Sequence, residues 1–182
     1  MANEIEKKYR LNAERIESVS AALKEIGAEF AGEDFEENIL FSNAALLEKQ
    51  AVLRLRRIGE RTILTYKQKV QSASDAKVHI EHETEVSDFG EIRAIVENLG
   101  LTRVLVYEKR RRTWRFRQVE IVLDVLPFGD FMEIEGSILS IAEAEMLLGA
   151  EDFEVVPETY PNLTLRFGKI IDGVTQSRFE GG

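Results

Sequence analysis

The chain has 182 residues, 44 % hydrophobic and 31 % charged, with a formal net charge of -9 and no cysteine. This is an ordinary globular composition, and the lack of cysteine excludes disulfides, thiolate metal sites and cysteine nucleophiles. No stretch approaches the ~18 uninterrupted apolar residues of a membrane span, the opening "MANEIEKKYR" lacks the apolar run of a signal peptide, and an acidic chain without a basic arm disfavours nonspecific nucleic-acid binding. The expectation is a single cytoplasmic domain over residues 1–182, with neither membrane nor nucleic acid as partner.

Residues 3–11, "NEIEKKYRL", alternate: Glu4, Glu6, Lys8 and Arg10 share one face, and Ile5, Lys7, Tyr9 and Leu11 the other. Asn12 then caps a helix with Ile16, Val19, Leu23 and Ile26 on one stripe, stopped by Gly27. A strand over 36–41 and a short helix near 43–49 follow. Strands over 51–58 and 61–70 flank Gly59, as a hairpin requires. The polar segment 71–77, "QSASDAK", reads as a mobile loop before a strand over 78–86. Ser87 or Asp88 caps a second helix, carrying Ile92, Ile95, Val96 and Leu99 and stopped by Gly100. Strands over 103–117, 119–126 and 130–136 come next. Ser140, with Glu143 three residues on, reads as the start of a third long helix that stops at Gly149, and the Met, Leu and Phe of "MLLGAEDF" read as core. Each half of the chain runs strand, helix, several strands. The echo is too weak to be a repeat, and no proline- or serine-rich linker divides the halves.

The charged face of the first strand recurs. Arg54 and Arg56 oppose Leu53 and Leu55; Lys67 and Lys69 oppose Leu64 and Tyr66; Glu81, Glu83 and Glu85 oppose Ile80, His82 and Thr84. Lys109 and Arg111 share a face, Glu120 and Asp124 oppose Ile121 and Leu123, and Glu133 and Glu135 oppose Met132 and Ile134. One such face is ordinarily solvated. Several, of both signs, with apolar faces opposite for helices to cover, favour charged faces turned inward. About eight antiparallel strands can close into a barrel, which removes sheet edges; the rival is a flat sheet whose solvated face is held by cross-strand ion pairs. The fold class expected is α+β, mainly β: an eight-stranded antiparallel closed barrel with helices packed outside. A lumen lined by Glu4, Glu6, Glu83, Glu85, Asp124, Glu133 and Glu135 offers hard oxygen ligands, which suit Mg²⁺ or Mn²⁺. Lys8, Arg54, Arg56, Lys67, Lys109 and Arg111 offer cations, and guanidinium groups fit phosphate oxygens in bidentate geometry. Burying so many charges without a ligand costs several kcal/mol per ion, and a metal-bound polyphosphate satisfies both sets together.

The elements "EIEKK" at 4–8, "LRLR" at 53–56, "LTYK" at 64–67, "EHETEV" at 81–86, "EKRRRTW" at 108–114, "VLD" at 122–124 and "GDFMEIEG" at 129–136 resemble, in order, those of the CYTH superfamily, the triphosphate tunnel metalloenzymes. E-x-E-x-K alone is weak; the ordered set is specific. The resemblance implies a single CYTH domain, folded as a closed tunnel of eight antiparallel strands with helices outside. It implies that Glu4, Glu6, Asp124, Glu133 and Glu135 are divalent-metal carboxylates, with Glu4, Glu6 and Lys8 at the catalytic centre. Lys8, Arg54, Arg56, Lys67 and Arg111 match triphosphate-binding cations, and Lys109 the first position of the K-x-R element. Glu83 and Glu85 match a further acidic pair, for a second metal or for orienting the cations. Lys169, in "LRFGKI", is a candidate for a C-terminal phosphate-binding lysine that no motif anchors.

Other residues carry no such role. Trp114 alternates onto the face opposite Arg111, with Phe116, and reads as core. His79 and His82 receive no catalytic part, His82 falling on the apolar side. Arg110 and Arg112 point outward. The leading function is Mg²⁺- or Mn²⁺-dependent hydrolysis of a triphosphate: tripolyphosphate, ATP or thiamine triphosphate. Alternatives are a class IV adenylyl cyclase, which makes cyclic AMP and pyrophosphate from ATP, and a non-catalytic nucleotide- or polyphosphate-binding module. A homodimer is compatible with the sequence, and the oligomeric state stays open.

Overall fold

The computed structural model describes residues 5–70 and 78–180, apart from the side chains of Val70, Val78 and His79. Glu4 and the 71–77 segment lie outside the described residues. The strands are β1 (Ile5–Leu11), β2 (Glu29–Ser42), β3 (Ala51–Ile58), β4 (Arg61–Val70), β5 (Val78–Val86), β6 (Thr102–Phe116), β7 (Val119–Leu126), β8 (Gly129–Gly136), β9 (Lys169–Ile171) and β10 (Val174–Ser177). The helices are α1 (Ala13–Glu25), α2 (Ala44–Glu48), α3 (Phe89–Asn98), α4 (Ile138–Leu148) and α5 (Tyr160–Phe167). None is long and apolar enough to cross a membrane. The chain divides into two compact units, Met1–Phe35 with Lys109–Thr159, and Glu36–Glu108 with Tyr160–Gly182. The long strands β2 and β6 contribute one part to each.

In the first unit the strand order is β1-β8-β7-β6, antiparallel throughout. Period-2 alternation leaves Tyr9, Leu11, Ile121, Leu123, Met132 and Ile134 on one face, and a helix must cover them. The α1 stripe of Ile16, Val19 and Leu23 does so, joined by Ile141, Ala144 and Leu148 of α4. Asn12 caps α1 by accepting from the Arg15 N–H, as its position before the stripe implies. Trp114 lies in this core, its ring 4.8 Å from that of Phe30, as expected of the face opposite Arg111. The α4 start is corrected. It is capped by Ser137, whose Oγ accepts from the Ser140 N–H at 3.1 Å, so Ser140 is inside the helix. In "MLLGAEDF", Leu148 and Phe153 join the core, whereas Met146 and Leu147 are exposed on the outer side of α4.

In the second unit the order is β6-β2-β3-β4-β5, with β10 parallel to β6 and β9 antiparallel to β10. Ile39, Phe41, Leu55 and Val106 form its core with Val96 of α3, which Asp88 caps. Gly59 turns β3 into β4 at φ 56°, a backbone region that an L side chain enters only under strain. The mainly antiparallel α+β class is the expected one. Among the described residues the ladder ends at β1 in the first unit and at β5 in the second.

The strand over 36–41 extends back to Glu29, through "EFAGEDF", a stretch with no sustained alternation. The C-terminal α5, β9 and β10 were not expected, because two strands of three and four residues leave no readable period. Gly168 joins α5 to β9. A Cβ there would lie 2.6 Å from Thr164 O and 2.8 Å from Gln176 O, both backbone atoms that cannot give way cheaply. Gly168→Ala is therefore expected to cost about 1–3 kcal/mol, the range of overpacked sites, seen as a lowered Tm. A wild-type Tm would show that α5 and β10 do not approach this closely.

Candidate functional site

The first unit carries an acidic row. Register places Glu6 of β1 opposite Glu135 of β8, which in turn faces Glu120 of β7. Like charges placed directly across strands repel, and cations stand against the row at both ends, Lys8 Nζ 3.7 Å from Glu6 Oε1 and Arg115 Nε 3.9 Å from Glu120 Oε2. Burial pushes the Glu6 carboxyl above the usual carboxylate range and the Glu133 carboxyl adds to this, while Lys8 and Arg111 pull the other way. Glu120 belongs to this row although the sequence reading left it out of the site; its alternation with Asp124 was the available signal.

Two register steps along, on the same face, Lys8 pairs with Glu133, with Nζ 3.1 Å from Glu133 Oε1 and 3.7 Å from Glu6 Oε1. Lys8 Nζ also donates to the Glu158 carbonyl at 3.1 Å. Lys8 is only 7 % exposed, so at this position the charged face is withdrawn from solvent. Arg111 donates from Nε and Nη2 to the two oxygens of Asp124, at 2.7 and 2.5 Å, and from Nη2 to Glu133 at 2.7 Å. Lys109 Nζ is 3.5 Å from Asp124 Oδ2. Asp124 is fully buried and Lys109 nearly so. Asp124 thus sits among cations, with Arg111 on both its oxygens, rather than in the acidic row. Among the described residues no three carboxylates form a metal-ligating group. Carboxylate oxygens such as those of Glu6, Glu133 and Glu135 are nonetheless the donor type that a hard divalent ion takes.

The second unit carries the guanidinium row. Arg54 and Arg56 of β3 share a face with Thr65 and Lys67 of β4 and with Glu81, Glu83 and Glu85 of β5. Arg54 Nη2 donates to Thr65 Oγ1 at 3.3 Å and lies 3.7 Å from Glu83. Thr65 itself donates to Glu83 at 2.9 Å. Lys67 is 3.2 Å from Glu81, and Arg61 pairs with Glu85 at 3.1 Å on the exposed end. Glu83 and Glu85 are therefore partners of cations here. Burial and the adjacent Arg56 guanidinium push the Arg54 pKa down, and Arg54 Nε is buried without a hydrogen-bond partner. Two adjacent guanidiniums with an unanswered buried donor are suited to an anion.

Arg56 meets residues that sequence reasoning passed over. Its Nε donates to Asn38 Oδ1 at 2.8 Å and lies 3.2 Å from Glu36 Oε2, both on β2. Lys169 opens the short β9 and is exposed. Arg110 is exposed, as expected; Arg112, on the same face two residues on, is half-buried instead and acts on Asp130. His82 is exposed, with its ring 6.2 Å from that of Tyr66.

The CYTH domain family model matches residues 2–155. No curated protein sequence matches the chain. Among solved structures, the PH1012 protein of Pyrococcus horikoshii is 27 % identical with a TM-score of 0.72, over 88 % of this chain and 98 % of that one. A candidate adenylate cyclase of Vibrio parahaemolyticus is 20 % identical with a TM-score of 0.67, over 88 % and 96 %. The Hippeastrum protein HpAC1, described as having a dominant triphosphatase activity, is 17 % identical with a TM-score of 0.64, over 94 % and 98 %.

Proposed function

Since the chain belongs to the CYTH domain family, we propose that it is a divalent-metal-dependent enzyme that hydrolyses a phosphoanhydride bond of a triphosphate, with inorganic tripolyphosphate as the simplest substrate. The observation that carries this reading is the guanidinium row of the second unit, where Arg56 pushes the Arg54 pKa down and Arg54 Nε is buried without a hydrogen-bond partner, and the first unit adds the in-register carboxylates Glu6, Glu135 and Glu120. A metal-complexed polyphosphate carries an anion of the kind that guanidiniums bind and a cation of the kind that carboxylates bind.

Glu6, Glu133 and Glu135, with Glu4 outside the described residues, would hold the ion, Mg²⁺ or Mn²⁺ by their hard oxygens. Bound there, the ion would neutralise phosphate oxygens and polarise a water. Arg54, Arg56 and Lys67 bind the phosphate chain and offset the charge that builds up as the anhydride breaks. Lys8, held by Glu133 and the Glu158 carbonyl, presents a fixed ammonium beside the carboxylates. Asp124 orients Arg111 and Lys109; a metal role for Asp124 would require it to release Arg111. Positioning and electrostatic stabilisation carry such a reaction, since phosphoryl transfer asks little covalent chemistry of the protein.

The deciding assay incubates the protein with tripolyphosphate, ATP and thiamine triphosphate, with Mg²⁺ or Mn²⁺, and separates orthophosphate, pyrophosphate and cyclic AMP. Orthophosphate release that stops in excess chelator is expected. Full turnover in chelator would sink the mechanism. Cyclic AMP with pyrophosphate from ATP would move the reaction to the α-phosphate, and binding without turnover would make the chain a binding module.

A further inference from the structure

Arg56 is held differently from the other arginines of these faces. The register places it opposite Asn38, and its Nε donates to Asn38 Oδ1 at 2.8 Å. Glu36 Oε2 lies 3.2 Å from the same Nε, and Asn38 Nδ2 reaches that oxygen at 3.5 Å. Both partners are inaccessible, Asn38 at 0 % and Glu36 at 2 % exposure. The contacts all fall on the Nε edge. Among the described residues, Nη1 and Nη2 of Arg56 donate no hydrogen bond to the protein.

An arginine paired for stability gives its fork to a carboxylate. Arg111 does this, with Nε and Nη2 on Asp124 and Nη2 also on Glu133. Arg54 spends Nη2 on Thr65 and Glu83. Arg56 alone of these three is gripped behind the fork, with the terminal nitrogens left over. A guanidinium so fixed loses little side-chain freedom when a phosphate docks, which strengthens each contact. A second feature points the same way. Asn38 has one acceptor and one donor group on its amide, and uses the acceptor on Arg56 and the donor on Glu36. This orients the amide and leaves Glu36 as a buried counter-charge on the far side of Nε.

We propose that Asn38 and Glu36 are positioning residues for Arg56, gripping its Nε edge so that its two terminal nitrogens stand ready as a fork for one phosphate group of the substrate. The inference rests on the reading of this face as a triphosphate site. It assigns Asn38 no contact with substrate, so its whole effect passes through Arg56.

A double-mutant cycle tests this. Asn38→Ala, Arg56→Lys and the double variant are compared with wild type in KM and kcat for inorganic tripolyphosphate with Mg²⁺, and in the rise of Tm that tripolyphosphate induces. Lysine has no Nε for Asn38 to grip. Asn38→Ala is expected to raise KM roughly tenfold in the wild-type background and to change it by less than about twofold in the Arg56→Lys background. If Asn38→Ala does not fold, Asn38→Ser, which keeps a hydroxyl but not the reach to Nε, takes its place in the cycle. Equal losses in both backgrounds, or a fall in Tm with unchanged KM, would make Asn38 a structural residue only and overturn the proposal. Wild-type protein with neither turnover nor a tripolyphosphate-induced rise in Tm would overturn the triphosphate reading itself, and this inference with it.

Discussion

Glu6→Gln is expected to lower triphosphate turnover by at least ~10²-fold while leaving the fold intact, the loss typical of removing one charged group that acts on the reacting phosphate. The substitution keeps the shape of the side chain and removes one charge from a row in which Glu6, Glu135 and Glu120 stand in register. The carboxyl of Glu6 is already pushed up by burial and by Glu133, so its charged form is held at a cost in the free protein. Removing that charge relieves repulsion, and the Tm of the variant should equal or exceed that of wild type. The opposite movement of the two readouts identifies the role. A structural carboxylate lost from an ion pair lowers Tm and leaves chemistry alone; a metal ligand lost from a crowded acidic row does the reverse. kcat/KM with tripolyphosphate and Mg²⁺, together with thermal denaturation, measures both. An unfolded variant, or one with wild-type turnover, removes Glu6 from the metal site.

What the sequence made legible was the side on which each charge lies. Period 2 is strict in a strand, so "EIEK", "RLR" and "EIE" could be assigned faces without knowing any neighbour, and Lys8, Arg54, Arg56 and Glu133 stand where alternation put them. It also made legible the caps at Asn12 and Asp88, because capping is local. Partner choice was not legible. Glu36 and Glu37 are neighbours and point to opposite faces, yet both are buried, because each meets an arginine from elsewhere in the chain. Glu37 pairs with Arg57 at 2.9 Å and also with Arg178 at 2.8 Å, and Arg178 reaches Glu108 at 2.6 Å. Nothing local in "SRFE" announces that its arginine is bound by two nearly buried carboxylates, which raise its pKa against the opposing effect of burial. Asp124 is the same lesson inside the site. Its face was readable, but whether it faces a metal or a guanidinium depends on Arg111 across the ladder, which register decides and composition does not.

Arg56→Ala is expected to reduce kcat/KM by about ten- to a hundredfold on every triphosphate that the protein accepts, the effect of losing one or two charge-assisted hydrogen bonds at ~1.5–3 kcal/mol. The loss should be common to tripolyphosphate and to organic triphosphates, because the contact is with the phosphate chain that they share. Arg56→Lys should recover only part of it, since an ammonium can neither form the bidentate fork nor be gripped through Nε by Asn38. Arg112→Ala supplies the control. Arg112 lies opposite Leu123 on the apolar face of its sheet and acts on Asp130, so it has no access to the charged side. Its removal should leave kcat/KM within about twofold, because it lies on the face opposite the charged rows. The comparison turns on geometry rather than on net charge, because both substitutions to alanine remove one positive charge from the chain. Were charge alone at work, through attraction of the polyanion to the protein as a whole, Arg56→Ala and Arg112→Ala would fall together, and both losses would shrink as salt was raised. An Arg56 effect that survives at high salt, beside an Arg112 effect that is small at every salt concentration, is what a fixed phosphate fork on the charged face requires; equal effects would show that the assignment of the two faces is wrong.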